Sequence, residues 1–267
     1  MVRLRIVLVL GICMPMYAEE QRPIVIVTCS YNNKAFYKWH LDSIFAQNYD
    51  NYRVIHIEDA STDGSPELIR DYVKAKNQEH RFTLIVNSTR RGAMANMYRA
   101  ISSCDDKAII AIADGDDGLA HSNVLATLNK AYADPNVWLT YGQFSEYTTG
   151  NIGFCCQIPP HIVTTNRFRE FSHQPSHLRT FYARLFKKIL LEDLMYEGNF
   201  YPMTCDLATM MPMIEMTGER FKFIPEVLYI YNDINPLNDH KVSKDLQRKI
   251  DIHIRSKKRY KRLEQLF

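Results

Sequence analysis

The chain has 267 residues, 46% of them hydrophobic and 24% charged, with a formal net charge of +3. That balance excludes a disordered chain, and no apolar run reaches the roughly 20 residues of a membrane-spanning helix. There is no internal repeat or low-complexity tract, and the length suits one α/β domain with extensions or at most two small domains.

Residues 1–18 read as a secretory leader. Arg3 and Arg5 form a basic start, residues 6–14 a short apolar core, and Ala18 sits at a cleavage position. A membrane-grazing leader is the plain alternative. The leader predicts a secretory or membrane-associated location, with the cytoplasm as the alternative. Asn87-Ser88-Thr89 is a glycosylation sequon, yet it adjoins a predicted ligand loop where a glycan would obstruct binding. Six cysteines without CxxC spacing predict buried free thiols and no disulfide framework.

From residue 24, short apolar runs alternate with helical periodicity. Residues 24–27, 53–57, 82–86, 108–112 and 137–141 read as strands. Between them lie a helix with Tyr37, Leu41, Ile44 and Phe45 on one face, a helix opened by Ser65-Pro66, and helices at 93–101 and 121–132. This alternation predicts a mainly parallel sheet flanked by helices on both faces, in a single α/β domain. Residues 142–176 break the pattern with Pro159, Pro160 and Pro175, as a substrate-facing segment does. Residues 179–191 and 206–216 read as helices and 221–231 as a strand. The domain spans 23–232, with 23–141 as a nucleotide-binding part and 142–232 as an acceptor part.

A basic amphipathic helix is predicted within 241–267. Ten Lys/Arg and two Asp fall between Lys241 and Arg262, with Leu246, Ile250 and Ile254 on one stripe. Such a helix suits peripheral contact with an anionic membrane surface, or plain solvation. Its few aromatics speak against nucleic acid.

In a parallel sheet, ligands bind beyond the carboxyl ends of the strands, so the polar residues there carry the information. Asp114-Gly115-Asp116-Asp117 follows the fourth strand. Three carboxylates in four residues repel one another unless a cation or hydrogen-bond donors compensate them; Mg²⁺ and Mn²⁺ prefer such oxygens and bridge to phosphates. A solvated acidic turn is the simpler alternative for this motif alone. The other strand ends supply Thr28-Cys29-Ser30-Tyr31-Asn32, Glu58-Asp59 with Asp63-Gly64-Ser65, and Arg90-Arg91-Gly92. Together they predict a crevice for an anionic, hydrogen-bonding ligand such as a nucleotide.

From residue 23 to 231 the chain resembles the family 2 glycosyltransferases of GT-A fold. Residues 23–32 are similar to that family's opening strand and loop. Glu58-Asp59-Ala60-Ser61-Thr62-Asp63-Gly64-Ser65 is similar to its acidic second motif, departing from the usual Asp-Asp-Gly-Ser at Glu58 and Ala60. Asp114 to Asp117 resembles its DxD motif. The resemblance implies that Asp59 bonds a nucleotide base beside Thr28 and Ser30, that Asp63 and Arg91 frame the nucleoside, and that Asp114 contacts the ribose or the metal shell. It implies Asp116 as ligand of Mn²⁺ or Mg²⁺ and Asp117 facing the transferred sugar. Asp206 would be the general base of an inverting transfer from a nucleotide-sugar, here a UDP-sugar, to a glycan, lipid or protein hydroxyl. Cys205-Asp206 replaces the usual Glu-Asp, so Asp206 as a helix cap is the alternative.

His240 is a further candidate metal ligand. His177 and Arg179, with His173 near them, cluster where acceptor or diphosphate would lie, or serve ordinary helix-start packing. Competing functions are a sugar nucleotidyltransferase, which lacks its Gly-rich loop here, and a non-catalytic sugar-binding module, which leaves the carboxylates without purpose. Dinucleotide and P-loop cradles are missing.

Overall fold

The computed structural model describes residues 20–172 and 175–267. The leader expected at 1–18, His173 and the side chain of His240 lie outside the described parts.

The first half alternates as the periodicity implies. Strands β1 (Ile24–Ser30), β2 (Tyr52–Glu58), β3 (Phe82–Val86) and β4 (Ile109–Ile112) are separated by helices α1 (Tyr37–Phe45), α2 (Ser65–Ala75) and α3 (Ala93–Ser102). A short strand β5 (Gly118–Leu119), helix α4 (Val124–Ala131) and strand β6 (Leu139–Glu146) follow. Ile24 to Val27 are buried on both faces of the sheet, which is why an uninterrupted apolar run makes this strand. The second half holds α5 (Pro160–Thr164), β7 (Arg179–Tyr182), α6 (Ala183–Phe186), the hairpin β8 (Met195–Tyr196) and β9 (Asn199–Phe200), α7 (Cys205–Thr217), β10 (Phe221–Tyr231), α8 (Asp239–Val242) and α9 (Lys244–Ser256).

Eight strands form one sheet in the order β3-β2-β1-β4-β7-β6-β10-β5. β1 to β4 are mutually parallel, so their carboxyl ends meet at one edge. β7 runs antiparallel to both β4 and β6, while β10 is parallel to β6. This is a GT-A type fold in a single domain. One core packs α3, α6, α7 and α9 on one face of the sheet, and a second packs α1 and α4 on the other.

The helix predicted at 179–191 is corrected: β7 comes first, and only Ala183–Phe186 is helical. Phe181, Leu185 and Phe186 have helical spacing, but tertiary pairing overrides it. Thr180 sits between Ala111 and Thr140 in register, fully buried, and its hydroxyl shares hydrogen bonds with Thr140 at 2.6 Å and Tyr132 at 2.9 Å. In β10 the register to β6 shifts after Ile224 and again after Val227, around Pro225, which has no N–H to give to a ladder.

The tail helix forms with a capping hydrogen bond from Leu246 N–H to the Ser243 hydroxyl. Its stripe faces protein and not solvent: Ile250 and Ile254 are buried in the core that holds α7, with Leu246 packed against it. Several of its cations are also engaged internally. Arg255 binds Asp251 and the carbonyls of Arg169 and Phe171, Lys257 binds Asp193, and Arg259 binds Glu170. Any peripheral membrane contact would therefore rest on charge, without the apolar stripe. No helix among the described residues is long and apolar enough to cross a membrane.

Candidate active site

The acidic turn is set by how β4 leaves the sheet. Ala113 N–H still donates to Val27 at 3.1 Å and Gly115 N–H to the Cys29 carbonyl at 3.1 Å, so the turn runs along the end of β1. A Cβ at Gly115 would lie 2.8 Å from Ser30 Cβ and 3.1 Å from the Cys29 carbonyl oxygen. Only glycine lets the turn come this close.

The three carboxylates face different ways. Asp117, only 2% exposed, is held by two donors: Tyr229 Oη donates to Oδ2 at 2.7 Å and Asn232 N–H to Oδ1 at 2.6 Å. The same Tyr229 hydroxyl accepts from Asp114 N–H at 2.9 Å. Asp114 and Asp116 line a cleft of about 800 Å³ together with Asp117, His177, Arg179 and Asp206. Burial pushes Asp116 up to about 6, against the Asn235 amide that donates to it and with the help of Asp114 nearby. Burial also raises Asp114, opposed by Arg179, and raises Asp117 well above the usual carboxylate range, with repulsion from Asp116 and Asp114 adding to it. The cluster is short of positive charge.

Arg179, at the start of β7, is the cation nearest it. Its Nη2 lies 3.2 Å from Asp114 Oδ2 and donates at 3.3 Å to His177 Nδ1, while Nη1 stands 3.8 Å from Asp206 Oδ2. His177 stacks flat on Tyr229, with ring centroids 4.4 Å apart. Burial and the guanidinium hold this imidazole well below its ordinary range, so it is neutral. Asp206 opens α7, where its Oδ1 also accepts from Leu207 N–H at 2.8 Å. The N-cap position belongs to Thr204, so Asp206 sits inside the first turn, where it takes up one helix N–H and lines the cleft.

The residues expected around the nucleotide divide into scaffold and surface. Thr28 is fully buried and shares a 3.2 Å hydrogen bond with His40, and Ser30 is buried under Gly115. Asp63 ties two loops, accepting from Lys34 N–H at 2.9 Å and Ser65 N–H at 3.0 Å. Asp59 accepts from the Asn87 amide and Arg91 N–H, both at 2.9 Å, and from Gly92 N–H at 2.8 Å. Burial alone would raise its pKa, but hydrogen bonds from Asn96, Asn87 and the two backbone N–H groups win and lower it. None of Thr28, Ser30, Asp59, Asp63 or the exposed Arg91 lines the cleft; Tyr31, Asn33 and Arg90 do. The Arg90 guanidinium lies 3.9 Å over the Tyr31 ring. Asn87 of the sequon is buried and spends its amide on Asp59 and on Asn96 at 2.8 Å, so a glycan there would dismantle this loop.

The donor set suits a hard divalent ion. Donor atoms of Asp114, Asp117 and His177 lie within 4.8 Å of one another. Of these, both Asp117 oxygens already accept hydrogen bonds, and His177 Nδ1 takes one from Arg179. Asp116 lines the same cleft and stands outside this group, with its Oδ2 accepting from the Asn235 amide. Sequence reasoning missed Tyr229, Asn232 and Asn235, which position the acidic turn. The run Asn232-Asp233-Ile234-Asn235 just past the last strand, so rich in short amide and acid side chains, was the available signal.

A parallel-sheet crevice with carboxylates after its fourth strand fits the nucleotide-diphospho-sugar transferase fold. The sequence profile described as "Glycosyl transferase family 2" matches residues 25–195, well over half of the chain, and the chain belongs to that family of enzymes. It is 33% identical over 87 residues to "Putative glycosyltransferase EpsE" of Bacillus subtilis (strain 168), a match covering 33% of this chain and 30% of that protein. Among solved structures it is similar to residues 1–349 of S. aureus TarS in complex with UDP-GlcNAc, with a TM-score of 0.61 and 13% identity over 83% of this chain and 61% of that one. It is also similar to the mannosyltransferase PcManGT of Pyrobaculum calidifontis in complex with GDP-Man and Mn²⁺, with a TM-score of 0.60 and 21% identity over 90% of this chain and 66% of that one. The chain thus spans less than two thirds of these relatives.

Proposed function

We propose that this chain transfers a sugar from a nucleotide-diphospho-sugar, a UDP-sugar first among them, to a hydroxyl acceptor, with inversion at the anomeric carbon and with Mn²⁺ or Mg²⁺. The observation that carries this reading is the placement of Asp114, Asp116, Arg179 and Asp206 on one cleft. The TarS and PcManGT complexes with UDP-GlcNAc and with GDP-Man and Mn²⁺ support the donor class and the ion.

In this reading the Arg90–Tyr31 pair walls the nucleoside end. Asp59, beside the cleft and not in its lining, shapes the loop there and keeps one Oδ2 lone pair for a ring N–H, which suits uracil or guanine and not adenine. Asp206 accepts the acceptor proton as the hydroxyl attacks, and Arg179 orients that carboxylate. A divalent cation held by Asp116, with Asp114 beside it, would offset charge on the departing diphosphate. A single base and no enzyme nucleophile give inversion.

Nucleotide release from a panel of UDP-, GDP- and ADP-sugars with Mn²⁺ tests this. UDP- or GDP-sugars turn over, EDTA stops the reaction, and Asp116→Asn nearly abolishes it in a folded protein. Preference for ADP-sugars, or full activity of Asp116→Asn in EDTA, would refute the donor or the metal assignment. Tight sugar binding with no turnover would leave a binding module.

A further inference from the structure

A second opening of about 250 Å³ adjoins the cleft and is lined by Thr204, Asp206, Lys244, Gln247, Arg248 and Asp251. Asp206 and Gln247 also line the main cleft, so the two spaces meet at the proposed base. The charges here are lopsided. Asp206 has Arg179 at 3.8 Å and Asp251 has Arg255 at 2.9 Å. Lys244 and Arg248 are exposed and, among the described residues, neither is paired with a carboxylate. An independent observation points the same way. Thr204 holds a left-handed backbone at φ 59°, is 5% exposed, and its hydroxyl has no hydrogen-bond partner among the described residues. A buried hydroxyl without a partner is costly unless a ligand or water meets it.

We propose that this opening is an acceptor subsite for an anionic group, a phosphate ester before all, held by Lys244 and Arg248 with Thr204 and Gln247 as neutral hydrogen-bonding partners. The inference rests on the glycosyl-transfer reading above. It adds that the acceptor carries negative charge close to the hydroxyl that Asp206 deprotonates. In the lining Lys244 and Arg248 balance Asp206 and Asp251, and Arg255, 2.9 Å from Asp251, tips the end away from Asp206 to positive, which favours an anion there over a neutral sugar. Guanidinium and ammonium groups both bind phosphate oxygens through charge-assisted hydrogen bonds. A hydroxyl positioned from this side enters next to Asp206 and leaves the Asp114–Asp116 side to the donor diphosphate.

The test uses matched acceptor pairs, each a neutral alcohol beside its phosphate monoester (glycerol and glycerol phosphate, a free hexose and its 6-phosphate), with one donor. The phosphate member is preferred by about tenfold or more in kcat/KM, the effect of two partly solvated ion pairs. The preference shrinks as salt rises. In Lys244→Ala/Arg248→Ala it disappears through KM, while donor hydrolysis to water and donor affinity stay at wild-type values. Titration of the same esters followed by calorimetry reads the subsite directly: the wild type binds glycerol phosphate and the variant does not. No binding by the wild type, or equal preference in wild type and variant, overturns the proposal. So does a variant that loses only sedimentation with phosphatidylglycerol vesicles, which would assign these cations to a membrane surface. A wild type that binds the esters yet never releases nucleotide from any donor sinks the transferase reading and leaves the anion subsite standing.

Discussion

Asp206 is the residue where structure and chemistry make separable demands, and Asp206→Asn separates them. The side chain is 23% exposed, its Oδ1 accepts from Leu207 N–H at 2.8 Å, and its Oδ2 stands 3.8 Å from Arg179 Nη1. An asparagine keeps an acceptor oxygen for the helix N–H. It gives up one partly solvated ion pair, worth at most about 1 kcal/mol, and Arg179 retains Asp114 at 3.2 Å. At roughly 2–4 °C per kcal/mol for a chain of this size, the midpoint of thermal unfolding falls by no more than about 4 °C. An amide cannot take the acceptor proton, however, and general-base catalysis contributes at least roughly a hundredfold, equivalent to about 2.7 kcal/mol of barrier. Sugar transfer therefore falls a hundredfold or more, while donor affinity, followed by nucleotide-sugar titration, is unchanged. Near-wild-type transfer by the asparagine variant would falsify the assignment. Retained anomeric configuration in the product, read by NMR, would defeat the single-displacement mechanism.

Two further substitutions probe the framework. Gly115→Ala puts a Cβ 2.8 Å from Ser30 Cβ, and overpacking of this kind costs about 1–3 kcal/mol. The turn should shift, turnover should fall at least tenfold, and Ser30→Gly in the same chain should restore part of both; wild-type kinetics and urea midpoint in Gly115→Ala would contradict the close-approach argument. Glu215→Gln removes the charge that meets Arg169 at 2.6 and 2.8 Å and Tyr260 N–H at 3.0 Å in the core. Leaving a buried guanidinium half-compensated costs about 3–5 kcal/mol, so urea unfolding should show at least about 3 kcal/mol lost; a loss below about 1 kcal/mol would mean the pair is not what anchors α9 and the tail.

The half of the site that could be read from sequence is the half built by parallel strands. Each of β1 to β4 is a short apolar run followed at once by polar residues, and parallel pairing puts those ends on one edge whatever the loop details. The periodicity does not say which polar residues face the ligand. Thr28 and Asp63 look like ligand groups in sequence, but Thr28 ties β1 to His40 of α1 and Asp63 ties two loops, because polar side chains at a strand end bond the nearest protein partner first. Arg90, which reaches the cleft, and Arg91, whose N–H holds Asp59, are neighbours that sequence alone cannot rank. β7 was misread because Phe181, Leu185 and Phe186 mimic a helical face, while the evidence for a strand lies in Ala111 and Thr140, some 70 and 40 residues upstream. That pairing is long-range and leaves no local trace.

The same division explains how three carboxylates coexist beside β4. The turn comes from the parallel half, and its compensation comes from later segments. Tyr229 and Asn232, brought in by the end of β10, take up Asp117, Asn235 takes up one oxygen of Asp116, and Arg179 of the antiparallel β7 faces Asp114. Neutral donors absorb the innermost acid, and the one guanidinium paired with this cluster among the described residues is shared with Asp206. The charge deficit is thereby left on the cleft-facing Asp114 and Asp116. A cation arriving with a diphosphate would meet the deficit there, and the register shifts near Pro225 matter to chemistry because they set how far along the cleft Tyr229 arrives to hold the turn.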